Sequence, residues 1–147
     1  MKAHIDADAD SGLVHAMRGT AANVNDVVEA NALLHGEEKD AFGDAGYQGA
    51  HKRADAQPGA HWHVAMRPGK RAALDKNRPI GAILDEFERI KASIRAEVEH
   101  PFQVIRRQFG FMKVRYRGLK KNTAQVTTLF ALSNLWMARD KLMGVGA

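Results

Sequence analysis

No cysteine occurs anywhere in the 147 residues, so disulfides and thiolate metal sites are excluded and the reducing cytoplasm is the expected compartment. Long apolar runs are missing too. No stretch of about eighteen or more apolar residues exists, and no charged-then-apolar leader precedes the first predicted strand, so neither a membrane span nor a secretory signal is expected. Proline is scarce, at four residues, and no low-complexity segment or internal repeat is present. Acid is absent from one stretch: between Arg106 and Lys121 there are seven Lys or Arg and no Asp or Glu. A solvated surface normally mixes signs, so a run of this kind favours phosphate contact.

What is present is one domain's worth of chain, or a piece of one; the length suffices for a real core but not for two ordinary ones. The net charge of +5 is unevenly spread. Residues 1–60 hold five Lys and Arg against ten Asp and Glu, whereas residues 61–147 hold seventeen against seven. A polyanion is the expected partner, nucleic acid first, although acidic membranes or proteins attract the same asymmetry.

Alternation over Lys2–Asp8, the Asp10-Ser11-Gly12 turn and the run from Leu13 to Met17 predict a β-hairpin. Asp6, Asp8 and Asp10 resemble the start of a calcium loop, but its Gly and closing Glu are not at the required positions. Residues Thr20–Asp26 form a turn in which Asn23 or Asn25 can cap a helix running through Val27, Val28, Ala30, Leu33 and Leu34 until Gly36. Lys39–Gly43 is a short strand leading into the glycine-rich string Asp44-Ala45-Gly46-Tyr47-Gln48-Gly49. Asp44 stands at the strand's carboxyl end, where ligands collect in parallel α/β sheets. Gly46 and Gly49 fit either a close backbone approach or an ordinary turn.

His61–Met66 alternates again and predicts a strand between Pro58-Gly59 and Pro68-Gly69. His61 and His63 share one face, which suits two imidazoles turned to water better than a metal pair with no third ligand nearby. A basic loop, Lys70–Arg78, precedes the longest periodic stretch. There Ile83, Phe87, Ile90, Ile94, Val98, Phe102, Ile105 and Phe109 recur at helical spacing and predict one apolar stripe facing a core. Gly110 ends this helix. Beyond it, Phe111–Lys121 interleaves cations with apolar and aromatic groups, and Asn122 is expected to cap a last helix so rich in apolar residues that burial on more than one side is predicted.

Beside the long helix's stripe runs a charged line, Arg95, Glu99 and Arg106, in which one carboxylate lies between two guanidinium groups. Such a row is commonly an exposed set of ion pairs. Pro101 argues for more, because a proline inside a helix costs roughly 3 kcal/mol and must be held by its surroundings. The Arg, the Glu four residues on and the Arg seven further match the motif of one branch of the DDE transposases of bacterial insertion sequences. The Val-Glu-His-Pro-Phe and Arg-Gln-Phe-Gly strings resemble the insertion-sequence-five group, and Asp-Ala-Gly-Tyr-Gln-Gly resembles the segment bearing that branch's second catalytic Asp. One element departs: Ala92 stands where the family usually has Tyr.

The resemblance implies an α/β fold of the ribonuclease-H-like type, a mixed sheet with flanking helices. The first two strands here would correspond to the family's second and third, so the central strand with the first catalytic Asp is expected to be lacking and residues 1–147 to be a partial catalytic domain. Asp44 and Glu99 are the implied catalytic carboxylates and ligands for Mg²⁺ or Mn²⁺, with Arg95 orienting Glu99 and Arg106 contacting phosphate. Arg107, Lys113, Arg115, Arg117, Lys120 and Lys121 are the candidate DNA-contacting residues. DNA is the expected partner, together with a second copy or the full-length transposase. Three readings stay open: a carboxyl-terminal transposase piece inactive alone, a DNA-binding remnant without catalysis, and a complete small metal-dependent nuclease in which Asp6 or Asp8 replaces the absent Asp.

Overall fold

The computed structural model describes residues 1–144 and has the order β1 (Lys2–Ala7), β2 (Val14–Thr20), α1 (Asp26–Leu33), β3 (Asp40–Gly43), β4 (His61–Val64), α2 (Pro68–Ala72), α3 (Pro79–Arg107) and α4 (Leu119–Leu142). This is the mixed α/β alternation expected from the sequence. The strands form two separate two-stranded sheets, β1 with β2 and β3 with β4. The chain divides into two compact units, one of Met1–Val24 with Glu97–Ala147 and one of Asn25–Ala96, and the boundary falls within α3.

In the first unit β1 and β2 make the predicted antiparallel hairpin, with Lys2 opposite Thr20 and a bulge between Asp6 and Ala7. Its turn is closed by Asp8, whose carboxylate accepts the Ser11 N–H at 2.7 Å and the Ser11 hydroxyl. Those bonds, the hydroxyl one foremost, hold the Asp8 carboxyl below its ordinary value, so this side chain is engaged in the turn. Alternation along the hairpin sends Ala3, Ile5, Val14 and Met17 against a core of Ile105, Val126 and Phe130. Phe102 meets Phe130 edge-on, with centroids 5.0 Å apart, the arrangement that ring quadrupoles favour. Pro101 is among the most deeply buried side chains, so packing compensates its missing backbone bond.

The last helix corrects two expectations. It begins at Leu119, directly after Gly118 at φ 88°, so Asn122 lies inside the helix. And its buried residues, Asn122, Val126, Phe130 and Ser133, make a single stripe, while Leu132, Leu135 and Trp136 are exposed. Asn134 fastens the helix to the hairpin: its amide accepts the Val14 N–H at 2.9 Å and donates to the Val14 carbonyl at 2.8 Å, taking the place of a neighbouring strand. Gly19 brings the two elements so close that a β-carbon there would overlap the Thr123 side chain.

The second unit holds the parallel pair, in register from Asp40 opposite His61 to Gly43 opposite Val64. Asn25 takes the cap position of α1, but its side chain makes no capping bond. Part of the expected basic loop is the short helix α2. The core here is made of small side chains, Ala30, Ala41, Ala50 and Ala65, with Leu33 the largest apolar one.

The apolar stripe of α3 departs from expectation along half its length. Ile105 is buried and Val98, Phe102 and Phe109 are half-buried in the first unit, but Ile83, Phe87 and Ile90 are 55%, 58% and 47% exposed. On this half the inward residues are Gly81, Glu88 and, less fully, Asp85 and Lys91. Asp85 pairs with Arg71 at 2.8 Å and Lys76 at 3.1 Å. Glu88, 5% exposed, accepts the Met66 N–H at 2.8 Å and pairs with Lys91, which donates to the Val64 carbonyl at 3.0 Å. These two groups satisfy the backbone where β4 ends, so polar bonds hold the helix here in place of apolar packing.

Candidate active site and nucleic-acid surface

Asp44 follows the last residue of β3, at the carboxyl end of the parallel pair, as the sequence predicts. It caps the first of two short 3-10 turns, Ala45–Tyr47, and its Oδ1 accepts the Gly46 N–H at 2.7 Å. A β-carbon at position 46 would stand 2.9 Å from Asp44 Oδ1 and 3.0 Å from Asp26 Oδ2, so the glycine lets both carboxylates come close without displacement. Asp26, in the first turn of α1, thus brings a second carboxylate to the space that Gly46 leaves open. Sequence reasoning missed it; the available signal was an acid beginning a helix whose cap residue, Asn25, was recognised.

Tyr47 closes this corner. Its ring stacks on Trp62 with centroids 6.0 Å apart, and its side chain folds back so tightly that a β-carbon at Gly43 would stand 2.9 Å from Tyr47 Cβ. Burial, followed by the charges of Asp26 and Asp44, pushes the phenol up to about 12, so it remains a neutral donor. Two carboxylates closing on the Gly46 α-carbon are the hard-oxygen chemistry that Mg²⁺ and Mn²⁺ accept, and Mg²⁺ usually takes one or two carboxylates and completes its shell with water and phosphate. Among the described residues no three His, Asp or Glu side chains converge as a metal cluster.

The Arg95, Glu99 and Arg106 line lies on α3, helical throughout, so the spacing that aligns the three groups holds. Arg95 is half-buried; Glu99 and Arg106 are exposed. Asp44, Asp26 and Arg95 belong to Asn25–Ala96, and Glu99 and Arg106 to the other unit. Seven residues before Arg95 the same line carries Glu88, the buried carboxylate that satisfies the backbone at the end of β4. Its role was not legible from spacing, because a charged residue beside an apolar stripe ordinarily faces water.

The candidate DNA-contacting side chains Arg106, Arg107, Lys113, Arg115, Arg117, Lys120 and Lys121 are all exposed and all in the first unit. The strap between α3 and α4 that carries the middle three is anchored at both ends. Phe111 packs on the core and its N–H reaches the Ile105 carbonyl at 3.0 Å across Gly110, at φ 63°. Asn122, buried, accepts the Tyr116 N–H at 3.0 Å and donates to the carbonyls of Tyr116 at 2.6 Å and Gly118 at 2.9 Å. A separate cleft of about 300 Å³ in this unit is lined by Ser11, Glu97, His100, Trp136, Met137 and Arg139, and contains none of the residues matched to the motif.

No helix among the described residues is long and apolar enough to cross a membrane. No solved structure matches the chain. A family model described as the transposase DDE domain matches residues 1–135, nearly the whole sequence. That match establishes the family: this chain belongs to the DDE-domain transposases, whose activity is DNA transposition.

Proposed function

We propose that the chain carries two of the three metal-binding carboxylates of an insertion-sequence transposase of the insertion-sequence-five-like group, on a ribonuclease-H-like framework, and that residues 1–147 alone neither cleave nor join DNA. The observation that carries this reading is the placement of Asp44: it directly follows a strand of a parallel pair, and the missing β-carbon of Gly46 lets it and a second carboxylate, Asp26, close on the same point of the backbone. Asp44 and Glu99 would hold Mg²⁺ or Mn²⁺. When bound, such ions activate the attacking oxygen and stabilise the leaving one in phosphoryl transfer. Arg95 orients Glu99 through their four-residue spacing on α3. Arg106 binds the DNA phosphate, a task for which a guanidinium offers two parallel donors. The exposed cations from Arg107 to Lys121 supply non-specific DNA affinity and register.

The third carboxylate belongs, by the family pattern, to a strand distinct from β1–β4. Asp8 is already engaged elsewhere, its Oδ2 accepting both of the Ser11 bonds that close the hairpin turn. Purified residues 1–147, assayed for nicking of supercoiled DNA with Mn²⁺, should be inactive while still binding duplex DNA with an affinity that falls steeply with salt, by a slope of about −0.9 per phosphate neutralised. Charge reversal at Lys113, Arg115 and Lys120 should abolish that binding. Robust nicking that is lost in Asp44→Ala, in Glu99→Ala and also in Asp6→Ala or Asp8→Ala overturns the proposal in favour of a complete small nuclease.

A further inference from the structure

Three large apolar side chains stand in the basic strap between α3 and α4: Met112 is 79% exposed, Val114 46% and Tyr116 53%. They alternate with Lys113, Arg115 and Arg117, all exposed. A loose loop would relieve such exposure by folding its apolar groups onto the nearest core. This one is pinned by Phe111 at one end and by the three Asn122 hydrogen bonds at the other, with glycines in the left-handed region at 110 and 118 setting its exit and entry. The apolar groups are therefore presented outward among cations, the surface chemistry of a ligand that offers anionic charge and flat apolar faces together.

We propose that this strap grips DNA whose bases are unstacked, with Lys113, Arg115 and Arg117 on phosphates and Met112, Val114 and above all Tyr116 against exposed base faces. The inference rests on the DNA-transposition reading and adds a substrate preference to it. In regular duplex each base face is covered by its neighbours, so the three apolar side chains gain nothing there. In unpaired DNA the faces are open, and an aromatic ring stacks on any of the bases. Charge alone works in the opposite sense, since single strands release fewer counterions per phosphate than duplex, and a preference for unpaired DNA is therefore a signature of stacking.

The test is the affinity of residues 1–147, at one salt concentration, for a blunt duplex, the same duplex with an internal mismatched bubble, and a single strand of equal length. Vesicles containing phosphatidylserine serve as an alternative anionic surface. Bubble and single strand should bind about tenfold more tightly than the duplex. Tyr116→Ala should remove most of that preference and leave duplex affinity within about twofold, Tyr116→Phe should keep it, and Arg115→Ala should weaken all three DNAs alike. Equal affinity for the three DNAs, or a Tyr116→Ala effect of the same size on each, overturns the inference while leaving the DNA reading intact. Vesicle binding that depends on Tyr116, without any preference among the DNAs, assigns the strap to a membrane and overturns it too. Failure to bind any DNA at low salt, in protein that unfolds cooperatively, sinks the DNA reading itself.

Discussion

The two units bury different chemistry. The first closes around Ile105, Val126 and Phe130 and covers the part of the α3 stripe that falls within it. The second buries alanines and a carboxylate, and leaves Ile80, Ile83, Leu84, Phe87 and Ile90 largely in water. At roughly 25 cal/mol per Å² of apolar surface removed from water, alanines contribute little, so hydrogen bonds and ion pairs carry a larger share of the second unit's stability. One helix thus crosses from an apolar regime to a polar one, and periodicity, which is uniform along it, does not report the change.

The sharpest way to break this comparison is at the centre of the first unit. Phe130→Ala removes the largest fully buried side chain and should cost about 3–5 kcal/mol, read from the urea midpoint of the first unit's transition. A loss below about 1 kcal/mol means that the cluster is not the core.

In the second unit the corresponding change is polar. Glu88→Gln keeps an acceptor for the Met66 N–H but leaves Lys91 without its counter-charge, and should destabilise by about 1–3 kcal/mol. Burial works to raise the Glu88 pKa, but the Lys91 hydrogen bond, the Met66 N–H and the charges of Lys91 and Arg71 outweigh it and hold the carboxyl below its ordinary 4.5. A depressed folded pKa stabilises above the ordinary value, and that contribution is lost as pH falls through the lower folded one. Acid should therefore loosen the second unit across that interval in the native protein and less so in Glu88→Gln, as followed by Trp62 fluorescence. Identical acid profiles would show that Glu88 is not the group responsible.

Asn134→Ala, which frees both backbone groups of Val14 to water, should cost about 1 kcal/mol and speed hydrogen exchange at the Val14 amide. The smallest effect is expected where the apolar stripe is bare: Phe87→Glu should change stability by less than about 0.5 kcal/mol. A loss as large as that at Phe130 would mean that this side chain is covered in solution.

Much of the order of elements was legible because it rests on local signals: alternation for β1, β2 and β4, glycines at the turns, and a three-to-four residue period for α3. Asp44 was legible at its strand end for the same reason. Illegible were features set by which neighbour a face meets. Ile83 and Ile105 look alike in a periodic stripe, yet one faces water and the other a core. Asn122 looked like a cap and proved to be a clamp on a strap before the helix, since a side-chain amide serves any backbone group it can reach. Asp26 escaped notice because only the close approach around Gly46 joins it to Asp44.

The bonds from Asn134 to Val14 span 120 residues and tie the hairpin to the last helix, with the whole of Asn25–Ala96 inserted between. During synthesis at about 5–20 residues per second, the hairpin therefore leaves the ribosome on the order of ten seconds before the helix that completes its edge and its core. Over that interval β1 and β2 are an isolated two-stranded ribbon, marginal by itself and open to pairing with another nascent chain. The intervening unit, whose contacts are all nearer in sequence, can assemble first. Yield in the cell is thus tied to how long the hairpin waits for that helix, and slow codons between residues 97 and 134 should lower soluble protein more than the same codons placed within residues 1–20.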